Sequence, residues 1–189
     1  MYGILAEDDS DIDTLKVLIR QLAGNDKLPI RGKGFDGCGK LIKDGWKYLK
    51  SLPDLNCSSF IIAHDADKKE PNEVRRGLID KIVKPSGVKC SVCLLVPVEE
   101  IEAWLLADIE AVSKIFKGWN PDNITNPESI SDPREFLERL SRLEGGRPRY
   151  SHATHNPQLA KHIDLNKVSK RCKSFRPLEE FVKNGKGNY

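Results

Sequence analysis

The sequence predicts an α/β protein: a mostly parallel sheet flanked by helices, followed by a mainly helical extension toward the C-terminus. Three observations lead there. Strand-like runs at Met1–Ala6, Leu28–Gly34, Ser58–Ala63 and Lys89–Val98 each precede a segment that reads as helix. The third holds Phe60, Ile61 and Ile62 in a row, the unbroken apolar pattern of a strand covered on both faces. Repeated strand–helix alternation calls for right-handed crossovers, which make the strands parallel.

Each element has its own local reason. Asp9–Ala23 places Ile12, Leu15, Leu18, Ile19 and Leu22 on one helical stripe, with Asp9 or Ser10 to cap it and Gly24 to end it. Leu28–Gly34 ends in turn residues. Leu41–Leu52 is a second helix, stopped at Pro53. Val74–Val83 is a third, with Pro71 before it and Pro85 after it, and Glu99–Leu106 continues the fourth strand as helix. Beyond Gly118 the texture changes. Asn120–Pro133 is rich in Asn, Pro, Asp and Ser and reads as loop, and Pro133–Leu143 as a short amphipathic helix. Gly145–Pro157 reads as a basic, turn-rich loop, followed by short helices near Leu159–Ile163 and Pro177–Lys183. These readings divide the chain into an α/β domain over 1–118 and a basic extension, 119–189, packed on it.

Composition limits the functional classes. A chain of 189 residues with 39% hydrophobic and 31% charged residues is long enough for a real core and has no disordered signature. No apolar run approaches the roughly 20 residues needed to cross a bilayer, so a cytoplasmic protein without a membrane partner is expected. The five cysteines are odd in number, which argues against a disulfide framework. Cys90 and Cys93 have zinc-like spacing but no second pair. On a strand their thiols face opposite ways, so both read as reduced structural residues.

The chemistry lies in the acids. Glu7, Asp8 and Asp9 follow the first strand, Asp65 and Asp67 the third, and Glu99, Glu100 and Glu102 the fourth. In open parallel sheets, functional groups gather beyond the carboxyl ends of the strands. An extended Asp65-x-Asp67 segment would point both carboxylates to one side, while His64 would point away and serve structure. Two carboxylates about 4 Å apart repel by roughly 4 kcal/mol at an effective dielectric near 20, so a cluster of them calls for protons or a cation. All-oxygen donors favour Mg²⁺ or Mn²⁺. The expected metal set is Glu7, Asp65, Asp67, Glu100 and Glu102. Helix capping is the plainer role for Asp8, Asp9 and Ser10.

The net charge is only +3, but basic residues crowd the stretch from Arg134 to Lys186. Lys68, Arg147, Arg149, Lys170, Arg171 and Lys173 are the candidate contacts to a nucleic-acid backbone.

With Glu7 after the first strand and Asp65-x-Asp67 after the third, the chain resembles the Toprim superfamily. The segment Val96-Pro-Val-Glu-Glu-Ile-Glu-Ala-Trp-Leu-Leu-Ala-Asp108 and the Lys173-Ser-Phe-Arg176 run resemble stand-alone bacterial Toprim-like proteins of the DUF4276 type. The resemblance implies a Rossmann-like Toprim sheet, a nuclease related to the overcoming-lysogenisation-defect enzymes, Glu7 as general acid/base and the aspartates as Mg²⁺ or Mn²⁺ ligands. It also implies service in anti-phage defence beside a separately encoded ATPase, since this chain carries no Walker A motif. Asp8 stands where the family commonly has Gly after its first Glu. Two alternatives are a receiver-like phosphoacceptor module, suggested by Ile4–Leu15, and a catalytically inactive Toprim-scaffold subunit that binds a partner or forms an oligomer.

Overall fold

A computed structural model describes residues 1–116, 122–142 and 146–189. Four strands form one all-parallel sheet: β1 (Tyr2–Ala6), β2 (Ile30–Gly34), β3 (Ser59–Ala63) and β4 (Ser91–Leu95), in the order β2-β1-β3-β4. Leu5 pairs with Lys33 on one side and Ile62 on the other, and Ala63 pairs with Leu95. The strand order reverses between β1 and β3, and a reversal of this kind opens a crevice at the carboxyl ends of the strands.

The period-two alternation of side chains divides the core. Ile4, Ala6, Ile61, Ala63, Cys93 and Leu95 face one layer, and Leu5, Phe60, Ile62, Val92 and Leu94 face the other. The first layer holds α1 (Asp9–Leu22) through the predicted Ile12, Leu15, Leu18 and Ile19 stripe. The second holds α2 (Cys38–Ser51) and α3 (Pro71–Leu78), which continues through a π-helical turn at Ile79–Val83 into the short α4 (Lys84–Ser86). Pro71 is the first residue of α3 rather than a residue before it, and the Glu70 side chain caps the Asn72 and Glu73 N–H groups.

The chain beyond β4 returns to the first layer. It forms α5 (Glu102–Leu106), α6 (Pro133–Leu140), α7 (His152–Ala160), α8 (Leu165–Arg171) and α9 (Arg176–Asn184). Leu137, Leu159, Val168, Phe175 and Phe181 from this region join the α1 core. The Gly145–Pro157 loop expected from sequence is corrected, because His152–Ala160 is helical with Pro157 inside it. Burial of Asn156, Leu159 and Ala160 against its neighbours, α1 foremost, holds α7 despite the proline. The expected boundary at 118/119 falls outside the described residues, and the helix expected over Pro133–Leu143 ends at Leu140, capped at Ser141.

The chain ends on the sheet. Asn188 accepts from the Leu94 N–H at 2.8 Å and donates to the Leu94 carbonyl at 3.1 Å, so the outer edge of β4 is covered. Cys93 lies in the first core layer and Cys90 beside the second. All five cysteines are free, and burial pushes the Cys93 thiol up to about 12. No helix among the described residues is long and apolar enough to cross a membrane.

Candidate functional site

The carboxyl ends of β1, β3 and β4 deliver acids to one place. Glu7 follows β1 directly. Its carbonyl accepts the N–H groups of Phe35 and Gly37, which ties the end of β1 to the loop after β2. Gly34 makes this approach possible, because a Cβ there would stand 2.6 Å from the Asp8 and Asp9 backbone. Asp8, one of the three capping candidates, caps α1 through the Asp11 N–H at 2.9 Å. Beyond β3, His64 N–H and Ala66 N–H donate to the Leu95 and Pro97 carbonyls, each at 3.1 Å, and this keeps the two loops in step.

The resulting cleft has a volume of about 320 Å³. Seven carboxylates line it (Glu7, Asp8, Asp11, Asp36, Asp65, Asp67 and Glu100), together with the guanidinium of Arg134. The Glu7 Oε1 atom accepts the Asp65 N–H at 3.0 Å and lies 3.2 Å from His64 Nδ1. That ring nitrogen is also 2.6 Å from the Asp65 carbonyl oxygen. With two acceptors around it, Nδ1 is assigned the ring hydrogen. His64, expected to point away from Asp65 and Asp67, thus holds Glu7 and the Asp65 carbonyl and does not itself line the cleft. Regular strand ends at Ala63, so its alternation does not carry into the loop. Asp67 reaches the cleft from a left-handed turn (φ 48°) rather than from an extended segment.

Electrostatics follow from this crowding. Burial raises the Glu7 carboxyl above its ordinary range, with Asp67 and Asp8 adding to the effect and His64 and the Asp65 N–H opposing it. Burial, then Asp8 and Glu102, lift Asp11 to about 8. Asp65 is pushed well up by burial, then by Asp11, Glu102 and Glu7, and Glu100 is raised by burial and by Glu102.

Behind the cleft, Glu102 is fully buried. Arg134 Nε donates to its Oε1 atom at 2.8 Å, Asn156 Nδ2 donates at 3.0 Å, and the Tyr150 hydroxyl lies 3.5 Å away and also donates to Asn156 Oδ1. Glu102 Oε2 has no hydrogen-bond partner among the described residues. Glu100 accepts the Arg134 backbone N–H at 2.9 Å. Burial opposes the charge on Arg134, but Glu102 and Glu100 outweigh it and hold the guanidinium more firmly protonated.

Of the expected metal set, Glu7, Asp65, Asp67 and Glu100 line the cleft. Glu102 does not, because the structure commits it to Arg134. Among the described residues no group of three or more His, Cys, Asp or Glu side chains forms a ready cation cage. The donor chemistry nevertheless fits a hydrated Mg²⁺ or Mn²⁺, which keeps several waters and needs only one or two direct carboxylates. No lysine lines the cleft among the described residues, although a receiver-like module requires one.

The expected nucleic-acid contacts divide. Lys68 lines an adjoining cavity of about 180 Å³ with Asp67, Glu99 and Glu100, its Nζ 3.2 Å from Asp132. Arg171 is corrected to a structural role: its Nη1 donates to the Ala107 and Ile124 carbonyls and to Asn123 Oδ1. The Arg149 guanidinium sits 5.1 Å from the Phe116 ring centroid. Arg147, Lys170 and Lys173 are exposed, and none of them lines the cleft.

Residues 10–183 match the domain of unknown function DUF4276. The chain belongs to the DUF4276 family. No curated protein and no solved structure matches it. Within this DUF4276 chain, sequence reasoning missed Asp11, Arg134, Tyr150 and Asn156. Only Asp11 left a signal: with Leu15, Leu18 and Leu22 it forms a single helical stripe, so an acid stands on the apolar face of α1.

Proposed function

We propose that this protein is a Toprim-type nuclease, a Mg²⁺- or Mn²⁺-dependent phosphodiesterase acting on DNA or RNA. The observation that carries the reading is the meeting of Glu7 with Asp65 and Asp67 in one acidic cleft at the reversal of strand order. Asp65, Asp67 and Glu100 would hold the cation, which when bound polarises a phosphoryl oxygen and lowers the pKa of its water. Glu7 is fixed through Oε1 by the Asp65 N–H and His64, which leaves Oε2 to exchange a proton with the attacking or leaving oxygen. Burial raises its pKa above that of an ordinary carboxylate, which makes it a stronger base for that exchange. Among the described residues Arg134 supplies the one positive charge in the cleft wall for the phosphate. A place in anti-phage defence, beside a separate ATPase, follows from the Toprim resemblance.

The test incubates the purified protein with supercoiled plasmid and single-stranded substrates in Mn²⁺, alongside Asp65→Asn/Asp67→Asn. Cleavage that needs Mn²⁺ and disappears in the double variant is the expected outcome. Equal cutting by the double variant defeats the site assignment. Absence of cleavage, with acid-labile phosphate taken up from acetyl phosphate, favours the receiver-like alternative.

A further inference from the structure

The acidic cleft contains a cation of its own. Arg134 is the second residue of α6, and its side chain, 30% exposed, lines the cleft wall. Its Nε donates to Glu102 Oε1 at 2.8 Å and lies 3.8 Å from Glu100 Oε1. The backbone N–H of the same residue holds Glu100 Oε2 at 2.9 Å. Glu100 and Glu102 are thus both matched to one charge, which also bears on Asp65 and Asp11.

That charge is anchored from three helices. Glu102, on α5, is fully buried, and its Oε1 atom also accepts from Asn156 Nδ2, on α7, at 3.0 Å. The Tyr150 hydroxyl donates to Asn156 Oδ1 and so fixes the amide. The Nε edge of the guanidinium is therefore held in the floor of the cleft. A guanidinium has five N–H donors. Among the described residues Nη1 and Nη2 make no hydrogen bond, which leaves them for a ligand in the cleft. The acids are less free than their number suggests. Asp8 caps α1, Asp36 pairs with Lys40, and Glu7 Oε1 is taken by the Asp65 N–H and His64.

Many nucleases use two metal ions, about 3.5–4 Å apart, to stabilise the attacking and the leaving oxygen. Each ion needs carboxylates of its own, and a second dication in this cleft would meet the like charge of a fixed guanidinium. We propose that Arg134 takes the place of a second metal ion: the cleft holds one divalent cation, and the guanidinium, oriented by Glu102 and Asn156, is the permanent partner charge for the phosphate. The proposal rests on the nuclease reading, which leaves the number of ions open. Glu102, Asn156 and Tyr150 are then positioning residues for Arg134.

The experiment titrates Mn²⁺ into the protein in the presence of a non-cleavable phosphorothioate oligonucleotide. Calorimetry counts the bound ions, and electron paramagnetic resonance distinguishes an isolated Mn²⁺ from a spin-coupled pair. One ion per chain, with the hyperfine pattern of an isolated ion, is expected. Arg134→Lys should keep that count, and Arg134→Gln should admit a second ion, doubling the stoichiometry and giving the coupled spectrum. Arg134→Gln/Glu102→Gln, which leaves no unpaired buried charge, repeats the count should the single variant not fold. Two ions or a coupled spectrum in the unaltered protein overturns the proposal and leaves the nuclease reading standing. A single ion in the folded glutamine variants also overturns it, because something other than Arg134 then limits the count. Absence of any Mn²⁺ binding defeats the metal-dependent reading, and this inference with it.

Discussion

Replacing Arg134 by Met tests the floor of the site most directly. The Glu102 side chain is 0% exposed and that of Arg134 30%, and their contact is 2.8 Å. Removing one partner of a buried pair leaves the other charge uncompensated, at about 3–5 kcal/mol. Asn156 still donates to Glu102, and Arg134 is only partly buried, so the lower end applies: about 3 kcal/mol. For a chain of this size each kcal/mol lowers Tm by roughly 2–4 °C, so a fall of about 6–12 °C is expected. Glu102→Gln keeps the shape and an acceptor for Asn156, and should cost about 1–2 kcal/mol alone. The double variant removes both charges together and should be about 2 kcal/mol more stable than Arg134→Met. Urea unfolding in chelator, followed by Trp fluorescence and interpreted at constant m, measures all three. A loss under about 1 kcal/mol in Arg134→Met, or strictly additive losses in the double variant, would refute the idea that Glu102 depends on Arg134.

Glu7, Asp11, Asp65 and Glu100 all have folded-state pKa values raised above their unfolded ones. The folded protein therefore binds more protons, and the stability these groups contribute is full below the unfolded carboxyl range and lost as pH rises through the folded values, toward about 8 for Asp11. Metal-free protein should accordingly lose Tm between pH 5 and 8, and the rise in Tm on adding Mn²⁺ should grow over the same interval; scanning fluorimetry across pH reads both. Glu7→Gln should cut nuclease turnover by at least about 10²-fold while changing Mn²⁺ affinity much less, as single-turnover kinetics and calorimetry would report. Arg171→Met should destabilise by about 2 kcal/mol, since three acceptors lose their donor, yet leave the salt dependence of nucleic-acid binding unchanged.

The sheet was legible because strands covered on both faces write continuous apolar runs, and α1 because its stripe repeats for three turns. α7 was not, because docking on α1 rather than periodicity holds it around Pro157. The acids at strand ends were legible as positions but not as orientations. The His64 contact with Glu7 joins the ends of two strands, which alternation along one strand does not reveal, and Asp67 reaches the cleft through a backbone turn that no side-chain pattern encodes. Arg134, Tyr150 and Asn156 lie 32, 48 and 54 residues from Glu102 in sequence, and nothing local to any of them announces the meeting. The basic C-terminal stretch misled in the opposite sense. Arg171 is basic because backbone carbonyls need its donors, not because a polyanion does.

The acidic cleft has two ways to tolerate its own charge, protons or a cation, and they compete. Arg134 already serves Glu102 and Glu100, so Glu7, Asp11 and Asp65 must share protons when no ion is bound, as their raised pKa values indicate. An incoming ion must displace those protons, and it finds no preformed group of three ligands among the described residues. On the nuclease reading, the ion is therefore held weakly until phosphate oxygens complete its shell, which makes nucleic acid part of the metal site. Mn²⁺ affinity should then rise about tenfold or more when a non-cleavable phosphorothioate oligonucleotide is present, a coupling of roughly 1.4 kcal/mol that must appear reciprocally in the affinity for the oligonucleotide. Titrations of each ligand with and without the other measure it. If Mn²⁺ binds equally well to the free protein, the cleft is a self-sufficient ion site and its acids are not arranged around a phosphodiester.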